Sequence, residues 1–202
     1  IMQSRFGYTL PKQMCIHFRN EIKSISDKKH TELKPDEMLA IFERTYLNIA
    51  SPVCLHSVHY RQENGITATV AVTDVKDGRK TEYTAEGNGR LDAVSNAIKQ
   101  YFGISYELSF YEEHSLTRGS SSKACAYVGV ICNGKTYWGV GIDADIIKAS
   151  IEALTVAVNK IDELKNANEC KDERMVEIMN YIQANYLDVS LDDLAEKFFL
   201  SK

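Results

Sequence analysis

The feature that most restricts the fold of this chain is a repeat. From Leu55 the hydrophobic pattern switches to a period of two, and strand, strand, strand, helix then occurs twice in succession. In the first half, "GITATVAVTDV" alternates Ile66, Ala68, Val70 and Val72 against Thr67, Thr69, Ala71 and Thr73, the signature of a half-buried strand. "KDGR" (Lys76 to Arg79) supplies an Asp-Gly hairpin turn, and "RKTEYTAEG" returns as a strand. "GNGRLDAVSNAIKQYFG" follows as a helix, with Leu91, Val94, Ile98 and Tyr101 at helical spacing. In the second half "ISYELSFYEEHSL", "KACAYVGVIC" and "KTYWGVGID" read as strands, with Asn133-Gly134 as the turn between the last two. "ADIIKASIEALTVAVNKIDEL" is the closing helix. Each unit has a sheet face and a helix face to hide, so two units packed together bury a shared core.

Helices flank the repeat. In "LPKQMCIHFRNEIKSISDKKH" the residues Met14, Phe18, Ile22 and Ile25 mark an apolar face, and Pro11 sits where a first turn tolerates it. "KPDEMLAIFERTYL" opens a second helix on Pro35, Asp36 and Glu37, and Pro52 ends the helical part by excluding Ser51 from the helical region. After the repeat, the polar stretch "KNANECKDER" reads as a linker to a helical tail. The expected organisation is an α+β fold. A helical subdomain occupies residues 1–54, a duplicated βββα domain residues 55–165, and a short helical tail residues 166–202. The opening residues read as the continuation of something upstream.

Composition excludes several classes. A net charge of −4 gives no overall basic surface for nucleic acid, and no apolar run approaches the ~20 residues that span a bilayer. No apolar h-region of a signal peptide is present at the start. Five cysteines without a CxxC spacing point to a reducing compartment, hence a cytoplasmic setting, and against a disulfide framework. His56 and His59 are three apart on a strand and face opposite ways, so no metal-ligand set emerges and no cofactor is expected in this chain.

Each repeat helix is preceded by Gly-X-Gly: Gly87-Asn88-Gly89 and Gly139-Val140-Gly141. A dinucleotide fingerprint fails for want of a third glycine, and no Gly-Lys-Ser/Thr exists for a phosphate loop. Acidic residues follow both turns (Asp92; Asp143 and Asp145), which disfavours an anion alone. Backbone N–H groups at a helix start hold a carboxylate, and a nearby carboxylate holds an ammonium. The pattern therefore suits a zwitterion, an amino acid, against the plainer reading that glycine merely permits a tight turn. In "SFYEEHSLTRGSSSKACAY", Glu113 and His114 carry acid–base chemistry, yet they face opposite sides of a strand and no nucleophile elbow is present, so a polar loop or ligand lid is expected there. Of the adjacent Tyr137 and Trp138, one should face the core and the other solvent or a partner.

"GNGRLDAVSNAIKQYFG", "SFYEEHSLTRGSSSKACAYVGV" and "TYWGVGIDADIIKASIEALTVAVNKI" together resemble the C-terminal regulatory domain of the 2-isopropylmalate synthase family. The segment "FGYTLPKQMCIHFRNEI…KPDEMLAIFERTYL" is similar to the helical linker subdomain that precedes it. The resemblance implies feedback control: leucine bound at a domain homodimer slows the condensation of acetyl-CoA with 2-oxoisovalerate on a metal-dependent catalytic barrel. The motifs of that barrel, and its divalent metal, do not occur in this sequence, so the chain is not expected to be active alone. The implied effector pocket matches Asn88, Gly89, Leu91, Asp92, Leu108, Tyr111, Ser115, Ser122, Ala124 and Ile146. Arg90 stands where the family often has proline, and Ser115 and Ser122 where alanine is common, so leucine and isoleucine both stay open as effectors.

The tail, "ERMVEIMNYIQANYLDVSLDDLAEKFFLSK", resembles the start of an AraC-type helix-turn-helix domain, stopping before a recognition helix. An amphipathic tail packed on the core is the competing reading. The alternative function is an amino-acid-responsive transcription regulator, with DNA as partner only if that motif is completed. No membrane partner is expected.

Overall fold

The computed structural model describes residues 1–47, 49–63, 65–117, 119, 122–161, 178, 181 and 197. Two compact units divide the chain, Ile1–Asp162 and Glu163–Lys202. The helix-turn-helix reading of the tail lies outside the described residues, apart from Ile178, Tyr181 and Lys197, which are helical.

The first unit opens with three helices, α1 (Met2–Phe6), α2 (Lys12–Lys29) and α3 (Pro35–Tyr46). α2 ends on Lys28 and Lys29, whose charges suit the negative end of the helix dipole, and His30 closes it in the left-handed region. Pro35 sits at the first position of α3, and the Glu37 carboxylate accepts the Lys34 N–H at 2.8 Å. α1 was not legible in the sequence, because five residues are too short to show a helical period.

The duplicated βββα order is present. Sheet 1 is β1 (Val53–Gln62), β2 (Ile66–Asp74) and β3 (Lys80–Gly87), followed by α4 (Arg90–Phe102). Sheet 2 is β4 (Glu107–Ser115), β5 (Ala124–Cys132) and β6 (Lys135–Asp143), followed by α5, described over 146–161. Both sheets are antiparallel and ordered as in the sequence. The repeat extends to irregularities: β1 is bulged between Leu55 and Ser57 and β4 between Leu108 and Phe110, each near the start of the first strand of its half.

One core is shared by the two halves. Ala68, Val70 and Val72 of sheet 1 and Ala126, Val128 and Val130 of sheet 2 close on Val94, Ala97 and Ile98 of α4 and Leu154, Ala157 and Val158 of α5. Each fully buried valine or leucine contributes about 1.5–3 kcal/mol. A second cluster covers the opposite face of sheet 2. There Cys125, Tyr127, Trp138 and Val140 meet Tyr8, Met14, Phe18, Phe42 and Tyr46 of the helical segment. Burial therefore alternates along β3 and is nearly continuous along β5. Trp138 faces the helices and its neighbour Tyr137 packs against the shared core.

One expectation about turns is corrected. Gly139 and Gly141 do not open a helix; they lie inside β6, and α5 starts later, at residue 146. A Cβ at Gly139 would stand 2.0 Å from the Ala153 carbonyl oxygen, and one at Gly141 2.0 Å from that of Ala149. Their missing side chains let α5 lie directly on β6, a tertiary demand with no local signature. The two Gly-X-Gly motifs are thus not equivalent positions of the repeat. The "KDGR" hairpin turn is present between β2 and β3, within a longer loop. Five residues separate β2 from β3, and Gly78 (φ 70°) is the left-handed residue of that loop, whereas Asn133 (φ 49°) and Gly134 (φ 74°) form a genuine two-residue turn. Among the described residues no helix is long and apolar enough to cross a membrane.

Candidate functional site

The two helix mouths differ in who satisfies their N–H groups. At α5, Asp145 Oδ1 accepts the Ile147 N–H and Asp143 Oδ1 accepts the Asp145 N–H, each at 2.8 Å. That mouth is closed by its own carboxylates. At α4 the N-cap is Gly89, extended at φ −153° and ψ 173°, with no side chain capping the first turn. A Cβ placed on Gly89 would meet nothing within 4 Å. Asp92, in the first turn, reaches back so that its Oδ2 accepts the Asn88 N–H at 2.9 Å. A carboxylate has about four acceptor sites, so this bond leaves Asp92 capacity for an ammonium.

Tyr60 of β1 stands beside the open mouth. The Arg90 guanidinium carbon lies 5.4 Å from the Tyr60 ring centroid. Tyr60 also lines a cleft of about 410 Å³ with Asp143, Asp145 and Ile147. Its hydroxyl is buried and has no hydrogen-bond partner among the described residues. Burial pushes the Tyr60 phenol above its ordinary pKa, Arg90 works against that and Asp145 adds to it. Tyr60 escaped the sequence reasoning, since its neighbours come from α4 and the start of α5.

The β4 candidates lie together. Leu108 packs on the shared core, and beyond the bulge Tyr111, Glu113 and Ser115 share one face. Tyr111 Oη donates to Glu113 and lies 2.9 Å from Ser150 Oγ, which itself reaches the Ile146 carbonyl at 2.7 Å. Tyr111 is thereby tied to the first turn of α5, where Ile146 stands. Burial, and then the Glu113 contact, raise the Tyr111 pKa, so the phenol remains a donor at neutral pH. The ring is still 43% exposed, leaving room for a ligand against it. Ser115 pairs with Ala124 across the strands. Ser122 turns into its own loop: its hydroxyl donates to the Thr117 carbonyl and accepts the Thr117 N–H at 3.1 Å.

Glu113 and His114 do not meet. His114 Nε2 is 2.9 Å from the Gly7 carbonyl, and its ring stacks on Tyr127 at 5.6 Å, on the face toward the helical segment. Among the described residues no group of three His, Cys, Asp or Glu is placed to hold a metal. The ten candidates also do not line the cavity of about 510 Å³ between β1, β6 and α5, whose walls include Glu43, Leu47, Val53, Lys123, Ile142 and Glu152. They instead form an α4 set (Asn88, Gly89, Leu91, Asp92) and a β4–α5 set, with Leu91 and Leu108 both packed on the shared core.

Comparison with known proteins bears on this arrangement. The LeuA allosteric (dimerisation) domain matches residues 32–162, which takes in α3, both sheets and the described length of α5. A 2-isopropylmalate synthase of Helicobacter hepaticus is 38% identical over 168 residues, 80% of this chain and 30% of that protein. Enzymes of the same name from Desulfitobacterium hafniense and Clostridium acetobutylicum are each 38% identical, over 160 and 167 residues, covering 28% and 30% of their lengths. The chain spans less than a third of these curated relatives. With the duplicated βββα fold and the family match over the same residues, the chain belongs to the LeuA allosteric (dimerisation) domain family.

Proposed function

We propose that this chain is the leucine-responsive, dimerising regulatory region of a 2-isopropylmalate synthase, acting on a catalytic part of the enzyme beyond this sequence. The observation that carries the reading is the uncapped mouth of α4, set against the self-capped mouth of α5. The effector carboxylate takes the first-turn N–H groups beyond Gly89 and Asn88, and Asp92 takes the ammonium. Leu91, Leu108, Ala124 and Ile146 supply apolar contact, and Tyr111 closes over the ligand. Ser115 adds a hydroxyl beside the apolar wall, while Ser122 holds the adjoining loop. A second copy of the chain completes the pocket, consistent with the open Tyr111 face. Control of the distant catalytic site needs only about 1–3 kcal/mol of coupling.

Isothermal titration calorimetry with leucine, and isoleucine in parallel, tests this. Saturable heat with leucine, lost in Asp92→Ala and Tyr111→Ala, is the expected outcome. Heat with isoleucine alone would change the effector and the enzyme assignment. No heat from either, on a folded dimer confirmed by sedimentation, would overturn the sensing role.

A further inference from the structure

The helical segment and sheet 1 meet at the junction 47–53, and one buried side chain on α5 holds that junction. Asn159 is fully buried. Its amide nitrogen donates to the carbonyls of Ile49 and Val53, each at 2.9 Å, and its Oδ1 accepts the Val53 N–H at 3.3 Å. The carboxamide therefore serves two points of the junction at once, more than one hundred residues away in sequence. The adjacent Lys160 donates to the Trp138 carbonyl at 2.7 Å and lies over the Tyr46 ring at 4.2 Å. Consecutive residues of α5 thus grip β1, β6 and the end of α3.

On its other side the junction is held by the Val75 N–H, which the Pro52 carbonyl accepts at 2.9 Å, and by buried Leu47, and it borders a cavity. The 510 Å³ cavity is bounded by Leu47, Ile49, Ala50 and Val53 from the junction and by Thr155 and Val156 from α5. Close packing resists displacement, and a cavity removes that resistance. The opposite end of α5 is the one tied to Tyr111 through Ser150. A helix is a stiff rod of 1.5 Å per residue, so a shift at Ser150 is delivered at Asn159.

We propose that α5 is the coupling element of this domain and that Asn159 is the positioning residue through which it sets the helical segment. A change at the Tyr111–Ser150 end moves α5 on its glycine track in β6, and Asn159 carries that movement into the junction. This rests on the effector reading and extends it, naming a route by which the response leaves the Tyr111 side of the ligand pocket and reaches the helical segment.

The test is amide hydrogen exchange on the full chain, with and without leucine, alongside calorimetry on the same samples. In the unaltered chain, leucine is expected to slow exchange at least threefold in peptides covering 47–55. In Asn159→Asp, which keeps the shape and loses both N–H donors, leucine affinity should stay within twofold while the junction response disappears and the response in β4 persists. An undiminished junction response in this variant overturns the proposal. If Asn159→Asp fails to fold, judged by Trp138 emission, Lys160→Met makes the same comparison for peptides covering 35–47, where a response equal to that of the unaltered chain overturns it. If neither amino acid gives heat, the effector reading fails separately, and ligand-free Ser150→Ala decides the coupling. Exchange at 47–55 should then rise at least threefold, and no change there overturns the route.

Discussion

Gly141 lies so close beneath Ala149 that a Cβ on the glycine would stand 2.0 Å from the alanine carbonyl oxygen, with the Ala153 nitrogen at 2.7 Å. Gly139 meets Ala153 and Ala157 in the same way. The seat of α5 on sheet 2 is thus backbone against backbone.

Gly141→Ala is therefore expected to cost about 3 kcal/mol, because neither the helix backbone nor the strand can yield cheaply. Gly89→Ala, in open space at an extended backbone, should cost less than about 1 kcal/mol, the loss of a tolerated N-cap. Urea unfolding of both variants checks the contrast. Equal midpoints would show that the glycines of β6 are not a contact surface.

Asp92 has two separable tasks, holding the Asn88 N–H ahead of α4 and carrying a negative charge beside its open mouth. Asp92→Asn keeps an oxygen for the Asn88 N–H, so stability should stay within about 1 kcal/mol of the unaltered chain. Leucine affinity should fall at least tenfold with the charge. If calorimetry finds the affinity unchanged, the ammonium is held elsewhere.

Stability should fall at both ends of the pH scale, for different residues. Burial pushes the Cys125 thiol from 9.0 to about 11, with a smaller opposing effect from Tyr127. Above pH 9 the unfolded chain loses this proton first, so stability present below pH 9 is lost as pH rises toward 11, by up to about 3 kcal/mol. Tyr46, Tyr106 and Tyr127 are raised by burial and act in the same direction. His17, bonded to Tyr46 at 2.7 Å, has its pKa lowered by burial, with Glu21 opposing and Lys160 assisting. The unfolded chain therefore binds that proton first, and stability declines as pH falls below about 6.5. Urea midpoints across pH 5–11 check both arms; a midpoint flat above pH 9 would sink the assignment to Cys125.

Among the described cysteines, Cys125 and Cys132 are buried, and Cys15 and Cys54 are partly exposed. Iodoacetamide at pH 8 should modify Cys15 and Cys54 well before Cys125, since the thiolate is the nucleophile and Cys125 is both covered and protonated. Mass spectrometry of a labelling time course reads the order. Early labelling of Cys125 would mean that the helical segment opens from sheet 2.

Part of the geometry around the α4 mouth was legible in the sequence. Asn88, Gly89 and Asp92 form a local group whose hydrogen bond spans four residues, and their chemistry could be read from spacing. Tyr60 and Ser150 could not, because the first meets Arg90 and the second meets Tyr111, thirty to forty residues away. The glycines of β6 were visible but misplaced, because a glycine needed for a turn and one needed for close approach look alike in one dimension.

The sequence by itself determined the elements and their repetition. Alternation along Ile66–Asp74, the Asn133-Gly134 turn and the helical spacing from Leu91 to Tyr101 are each imposed within a few residues by backbone geometry and side-chain burial. Only the tertiary structure decided that sheet 2 is covered on both faces, that α5 rides on bare backbone, and that Asn159 closes on a junction more than one hundred residues before it. Those outcomes depend on which surfaces meet, and buried polar groups and close contacts are settled by the partner each finds in the fold.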